Sequence, residues 1–596
     1  MEIKNTQNRK KFKHQFYREL ITLFLIIILI NYIASNFFFR LDLTSEKKYT
    51  LTNTTKTILK NLKDVVYVKV YLEGDMPYGF LRLKKSIKET LDEFRNYAGD
   101  NLQYDFIDPS AIKDKKTQKD LYKQLYKLGL TPTNIQERDE DGKLIQKIIF
   151  PGAIVSYAGR EIAVDFLKNN LNRTPEENLN ASIEAIEFNL IQAIRKLNNE
   201  FGQKIAFIEG HGELNEWQVA DLANSLSEYY QVERVKIDSQ LSSLSTRIID
   251  SASNSVKVIN KYDLIIIANP QQAFSEYDKY IIDQYIMYGG KVIWVLDIVD
   301  ANIDSLAYTS SIVGLIKNLN ISDQLFKYGV RVNPNLIQDV QCAIIPINTA
   351  IAGTQPQFTP MPWIYFPLLL PNAKHPITKN INLVKAQFVS SVDAVGEDPE
   401  ITKTVLLTSS QNSRVINAPM KISLNIIKYK IKPEFFTKSF IPAAILLEGK
   451  FKSLYNNRLT PEMYSYKEIA FREESFNTKL AVIGDGDIIR NHVRKIGDNK
   501  IPLPLGYDRY TGETYGNKEF FLNLISYMLD SKNFSDLNSR TIQLRLLNKQ
   551  LVDNYKTYIQ IINIIVPVFL IIIIGTLITF YRKRIFSIKI KKLNKN

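Results

Sequence analysis

The sequence predicts an α/β protein. A transmembrane helix at each end flanks a large external region, which holds an α/β N-terminal domain and a doubly wound parallel-sheet domain. Three observations predict this. Two long uncharged runs lie near the termini, each with a basic tail on its outer side. Strand-like and helix-like segments alternate between them. Several of the strands are continuously apolar, as strands buried on both faces are.

The outer elements are read from charge. The 596 residues carry 77 basic and 62 acidic side chains, a formal charge of +15. Residues 1–18 hold +5 of this and residues 581–596 hold +7, while the 562 residues between them sum to only +3. A basic excess spread over a folded surface would point to nucleic acid. Confined to two tails beside apolar runs, it points to membrane topology and away from a nucleic-acid partner. Residues 20–39, LITLFLIIILINYIASNFFF, and 559–580, IQIINIIVPVFLIIIIGTLITF, contain no charge. Twenty helical residues span about 30 Å, the thickness of a bilayer core. Pro567 is a candidate kink. The positive-inside rule assigns the basic tails, 1–19 and 581–596, to the cytoplasm, and residues 40–558 to the far side of the membrane. A cleaved signal peptide is the rival for the first run, but Ala34-Ser35-Asn36 is a poor cleavage site, so an uncleaved anchor is expected. Neither span has an ionisable residue at its centre, where a transport pathway needs one. An anchored accessory is expected rather than a transporter core.

The external region follows in chain order. A hydrophobic content of 45% and aromatic content of 11% suffice for packed cores. In residues 44–150, an amphipathic stretch Thr54–Leu62 precedes the strand Val65–Leu72. The helix Leu81–Tyr97, with Leu83, Ile87, Leu91 and Phe94 on one stripe, leads to the strand Leu102–Ile107, a parallel βαβ order. Residues 151–200 read as a connector, with a hairpin (Ala153–Tyr157, Glu161–Val164) and one helix, Glu177–Leu197. In residues 201–530, Lys204–Glu209, Val232–Ile237, Tyr262–Ala268 and Lys291–Leu296 read as strands, and Gln218–Tyr229 and Ser275–Met287 as helices. Six prolines among Trp363, Tyr365 and Phe366 break the pattern over 350–377. That segment is expected to be a long loop packed over the sheet or a docking surface. Thr404–Ser409 and Lys479–Ile483 resume the strands, and Glu519–Leu529 is the last external helix. Residues 541–558 carry Leu544, Leu547, Leu551, Tyr555 and Tyr558 at helical steps, an amphipathic juxtamembrane helix.

The run YDLIIIANPQQAFSEYDKYIIDQYIMYGGKVIWVLD resembles the core of the ABC-transporter auxiliary domain, as do IAFIEGHGELNEWQ, LAVIGDGDII and GNKEFFLNLISYMLD. With the two flanking spans and the ending SRTIQLRLLNK, the whole chain resembles the GldG family, gliding-motility-associated and substrate-binding-like auxiliary proteins of Bacteroidetes. The resemblance implies a class I amidotransferase-like fold and two partners, a separate ABC permease subunit and a separate ATPase subunit. Its motifs are structural turns, so it implies no ligand; a periplasmic ligand or an envelope polymer is left open. A stand-alone glycan- or peptide-binding module and a mechanical scaffold of the motility machinery are the alternatives.

Candidate chemistry centres on Gly210-His211-Gly212-Glu213, at the carboxyl end of a predicted parallel strand, where open α/β sheets bind ligands. Glu209, His211, Glu213 and Asp297 are the candidate ligand-binding residues, expected to converge at this edge. The alternative is a turn whose polar groups satisfy backbone donors or the next helix. No catalytic residue, metal or cofactor is expected, and the protein is read as not an enzyme. Cys342 has no nucleophile-elbow glycines around it and no second cysteine to pair with. No G-x-S-x-G elbow, H-E-x-x-H site or G-x-x-x-x-G-K-[ST] phosphate loop occurs. Gly484-Asp485-Gly486-Asp487 lacks the further oxygens and late Glu of a calcium loop and is read as a turn.

Overall fold

A computed structural model describes residues 17–593, except 19, 30, 32–49, 139–143, 171–172, 199–201, 251–254, 349, 351–354, 356, 429–431, 462–465, 467–468, 498 and 531–548. The chain divides into two units, residues 1–540 and 541–596.

The N-terminal lobe is built as its pattern predicts. Strand β1 (Val66–Val70) runs parallel to β2 (Leu102–Phe106) across helix α1 (Tyr78–Ala98). Leu83, Ile87, Leu91 and Phe94 of α1 are fully buried against the sheet. The expected connector proves to be part of this lobe. Its hairpin, β3 (Gly152–Tyr157) and β4 (Arg160–Asp165), extends the sheet in the order β2-β1-β3-β4. The single helix expected after it is two, α2 (Pro175–Glu184) and α3 (Ile186–Asn198), parted at Ala185. Thr174 caps α2 with a reciprocal Thr174–Glu177 pairing. Ile183, Leu190 and Ile194 join the same core.

The second lobe is organised by five parallel strands. They are β5 (Lys204–Glu209), β6 (Gln231–Lys236), β7 (Leu264–Ala268), β8 (Lys291–Val295) and a fifth, Thr478–Ile483, reached after an excursion through residues 299–477. Their spatial order is second, first, third, fourth, fifth, the order of flavodoxin-type doubly wound sheets. Alternate residues feed two cores. Ile205, Phe207, Leu264, Ile266, Ile293 and Val295 pack on one side with Leu222 and Leu226 of helix α4 (Ala220–Ser227). Ala206, Ile208, Ile265, Ile267, Val292 and Trp294 pack on the other with Ile281, Ile282, Tyr285 and Ile286 of α5 (Glu276–Met287).

The excursion supplies antiparallel strands β9 (Cys342–Asn348), β10 (Phe358–Pro371), β11 (Ile401–Thr408) and β12 (Pro442–Gly449), which continue the same sheet to β13, the fifth parallel strand (Thr478–Ile483). Residues 358–371 of the proline-rich segment, with four of its six prolines, are therefore strand and not loop. Proline's fixed φ suits an extended chain, and what it removes is only the N–H donor. The interleaved Trp363, Tyr365 and Phe366 are buried. Cys342 is partly buried in β9, and burial pushes its thiol up to about 12. Helix α6 (Asn517–Leu529) closes the first core with Phe520, Phe521 and Leu524.

In the second unit, helix α7 (Lys549–Leu593) is kinked, and the break in helical geometry falls at Tyr555 (φ −115°, ψ 16°) and not at Pro567. Residues 541–548 of the expected juxtamembrane helix lie outside the described residues. Asn554–Arg584 is long and apolar enough to cross a membrane, and none of it is buried in the chain. Of the first expected span, Leu20–Leu29 is an apolar helix; residue 30 and residues 32–39 lie outside the description.

Trp294 is fully buried beneath Phe274, their rings edge-to-face at 5.9 Å. Trp294→Ala is expected to lower unfolding stability by about 3–5 kcal/mol, read as a shift of the denaturation midpoint. An unchanged midpoint would refute the packing described.

Candidate functional site at the carboxyl edge of the parallel sheet

Helix α4, after β5, covers one face of the sheet, and α5, after β7, covers the other. The chain leaves the adjacent strands β5 and β7 in opposite directions, which is the topological switch point where such sheets bind ligands. Glu209 ends β5, His211 and Glu213 follow in its turn, and Asp297 follows β8. The sequence-predicted residues thus lie along one edge, in three separate settings.

His211 and Glu213 come together, with a partner the sequence did not reveal. Gly210 and Gly212 hold φ of 126° and 75°. A Cβ on Gly212 would press within 3.1 Å of Gln271, so the turn needs glycine for both conformation and space. The His211 carbonyl accepts the Gln271 and Gln272 N–H groups at 2.8 and 2.9 Å, joining the β5 and β7 loops. The residue is 5% exposed, and its ring stacks on Phe274, centroids 3.8 Å apart. Nε2 lies 3.2 Å from Asp278 Oδ2, and Nδ1 lies 3.3 Å from Glu213 Oε1, off the line of a hydrogen bond. The other Glu213 oxygen accepts the His211 backbone N–H at 2.7 Å. Asp278 is fixed by Ser275 Oγ at 2.7 Å and the Ser239 N–H at 3.1 Å. Burial works against the imidazolium, but Glu213 and Asp278 together outweigh it and hold the His211 pKa above its ordinary value. The buried His211 ring, set between Glu213 and Asp278, therefore ties the β5 turn to the first turn of α5.

Glu209 is engaged elsewhere. It pairs with Arg234 on β6, which also donates to the Leu214 carbonyl at 2.8 Å. Asp297 belongs to a third group. Its Oδ1 accepts the Gly486 N–H at 2.6 Å. Burial, then the charge of Asp487, push its pKa up to about 7. Asp485 is wholly buried, accepting the Gln387 and Asp487 N–H groups at 2.6 and 2.8 Å, and burial with its acidic neighbours raises it as well. Gly484-Asp485-Gly486-Asp487 thus brings Asp485 and Asp487 beside Asp297. Among the described residues, no group of three His, Cys, Asp or Glu side chains is arranged to hold a metal.

The residues that sequence reasoning missed are Asp278, Phe274, Asp485 and Asp487. Asp278 carried a signal, its place three residues after the capping Ser275, but a cap alone does not reveal a long-range partner. A separate cleft of about 520 Å³ lies between the lobes, lined by amides including Asn169, Asn189, Gln192, Asn382 and Asn523.

Residues 202–524, more than half of the chain, match the family model described as an ABC-type uncharacterized transport system. The chain belongs to that family. Residues 45–156 match a second model, a domain of unknown function. An uncharacterized protein of Borreliella burgdorferi is 21% identical over 565 residues, 94% of this chain and 96% of that protein. Among solved structures, the mmIFT52 N-terminal domain aligns with a TM-score of 0.29 and 13% identity, covering 55% of this chain and 99% of that domain. So distant a likeness carries no argument. Within the ABC-type transport family region fall the whole carboxyl edge, the second core of lobe two and most of the first.

Two outcomes are expected. A carboxyl or imidazole whose pKa is raised by folding binds more protons folded than unfolded, so stability falls as pH rises through that window. For Asp297 the window runs from 3.8 to about 7, and for His211 it lies upward from 6.5. The melting temperature should fall steadily between pH 5 and 8, and Asp297→Asn should flatten the lower half of that slope. An unaltered slope in the variant would remove Asp297 from the account. His211→Ala leaves Glu213 and Asp278 buried without their cation and should cost about 3–5 kcal/mol, measured by denaturant titration at pH 6.

Proposed function

We propose that the chain is a membrane-anchored, non-enzymatic auxiliary subunit of an ABC-type transport assembly, working with a separate permease and a separate ATPase. The observation that carries this reading is the family match over residues 202–524 in a chain with an exposed apolar helix at 554–584. No G-x-x-x-x-G-K-[ST] loop occurs in the 596 residues, so the reading assigns nucleotide chemistry to another subunit. In this proposal the first apolar run is a second anchor, both termini are cytoplasmic, and residues 40–558 hold a substrate or partner in the periplasm. Two anchors would keep that module at high effective concentration beside the permease. The resemblance to GldG-type proteins supports a finer reading, association with gliding-motility machinery.

A second reading, a glycan- or peptide-binding module acting alone, is favoured by the amide-lined cleft between the lobes. Amides both donate and accept, which suits polyhydroxylated or peptide ligands.

Copurification in a mild detergent separates the readings. The lead reading expects an ABC ATPase and a permease in stoichiometric yield, and their absence would leave the second. Protease treatment of spheroplasts should cleave residues near 300; protection there would overturn the proposed topology.

A further inference from the structure

A cavity of about 390 Å³ opens beside Asp487, within the size range of small-molecule sites. Part of its lining is apolar: Ile344, Ile345 and Ile347 of β9, with Phe358 and Phe366 of β10. Part is cationic: Lys385, Arg490, His492 and Arg509.

The charges do not all cancel internally. Lys385 is paired with the buried Asp508 at 2.6 Å, and Asp508 also accepts the Tyr510 N–H at 2.8 Å. Arg490 gives one nitrogen to Asp487 at 3.2 Å. Arg509 has no carboxylate in ion-pairing range among the described residues. Its guanidinium rests on Tyr510, 2.6 Å from the hydroxyl and 4.8 Å from the ring centre. The acid left on the lining is Asp304, which is exposed. His492 reports the resulting field. Although much of the residue is exposed, the protein packed around its ring, and then Lys385, Arg509 and Arg490, depress its protonation, opposed only by Asp508.

An aliphatic wall beside an arginine fork without a carboxylate is the complement of a molecule with a chain at one end and an oxyanion at the other. We propose that this cavity binds a small amphiphilic anion, a carboxylate or phosphate head group carrying an aliphatic chain. The head group pairs with Arg509 and the open side of Arg490, and the chain lies against Ile344, Ile345 and Phe358. Phe358 is 64% exposed in the empty chain, and a bound chain would cover it. The proposal does not depend on any transport partner, so the copurification outcome neither supports nor damages it.

The test uses the full chain in phosphatidylcholine nanodiscs, with protein-free nanodiscs as the blank. Octanoate and octyl phosphate are titrated by calorimetry beside octanol, which has the chain alone, and inorganic phosphate, which has the head alone. Saturable binding is expected for one or both amphiphilic anions, and which one binds identifies the head group. Octanol binding equally well would overturn the anion requirement, and inorganic phosphate binding equally well would overturn the chain requirement. No binding by either anion overturns the proposal. Arg509→Ala and Phe358→Ala alter exposed side chains and should leave the unliganded melting temperature unchanged. Each should weaken binding about tenfold, while Lys116→Ala, on an exposed helix of the other lobe, should not. Equal weakening by Lys116→Ala would mark the binding as non-specific and overturn the proposal.

Discussion

The second lobe depends on one constraint: its central parallel strands must be apolar on both faces. Ile265, Ile266 and Ile267 are consecutive, fully buried, and divided between two cores. A strand with this composition cannot sit at a solvated face, so a helix must cover each side. Helix α4 and α6 meet the demand on one face and α5 on the other. The βαβ connections then carry every loop that follows a parallel strand to one edge. The position of the candidate site is therefore a consequence of how the strands are buried, before any residue at the edge is considered.

With the strands excluding polar groups, the edge receives them, and the same lobe solves one electrostatic problem in two ways. Buried carboxylates are costly in a medium of low polarisability unless they are paired or neutralised. At the switch point, Glu213 and Asp278 share a cation, His211. The backbone N–H of His211 and the Ser239 and Ser275 donors supply the further hydrogen bonds of these two carboxyls. Two and three strands along from β5, Asp297 and Asp485 have no cation in ion-pairing range among the described residues, and burial raises the pKa of both. The first arrangement ties two loops through an imidazole between carboxyls, and the second places carboxyls side by side where burial favours their neutral form.

The sequence made the strands legible because their composition is extreme: YDLIIIA has no other stable reading than a strand covered on both sides. The α1 stripe of Leu83, Ile87, Leu91 and Phe94 was legible for a similar reason, an unbroken helical period. The errors arose where long-range pairing overrode local signals. Pro360, Pro362 and Pro367 spoke against a strand, yet β9 pairs with that segment, and proline forfeits only a donor there. The hairpin 152–165 gave no local sign that it would add to a sheet begun 80 residues earlier. At the candidate site, His211 and Glu213 were found because glycines frame them. Asp278 lies 67 residues from His211 and is visible locally only as the first-turn residue whose N–H the capping Ser275 accepts. Asp485 and Asp487 follow the strand in the irregular segment that the Gly-Asp spelling predicts, but the burial of Asp485 beside Gln387 and Asp297 is set by residues far off in the chain.

The apolar helix of the second unit is bound by the same rule that shapes the sheet, with no protein to satisfy it. Between Tyr558 and Tyr581 its Ile, Leu, Val and Phe side chains are exposed in the chain. Leaving one such side chain in water costs about 1.5–3 kcal/mol relative to burial. A run of this length would forfeit tens of kcal/mol, beyond the roughly 5–15 kcal/mol that holds an ordinary domain folded. The helix therefore needs an apolar surround, either lipid or other apolar helices. Its backbone already satisfies its own hydrogen bonds, which is the condition for lying in hydrocarbon. Arg582, Lys583 and Arg584 at its end fix how far it can slide, because carrying three cations into the apolar layer would undo the gain. The two units thus obey one physical requirement by different means: the sheet supplies its own cover, and the helix must borrow one.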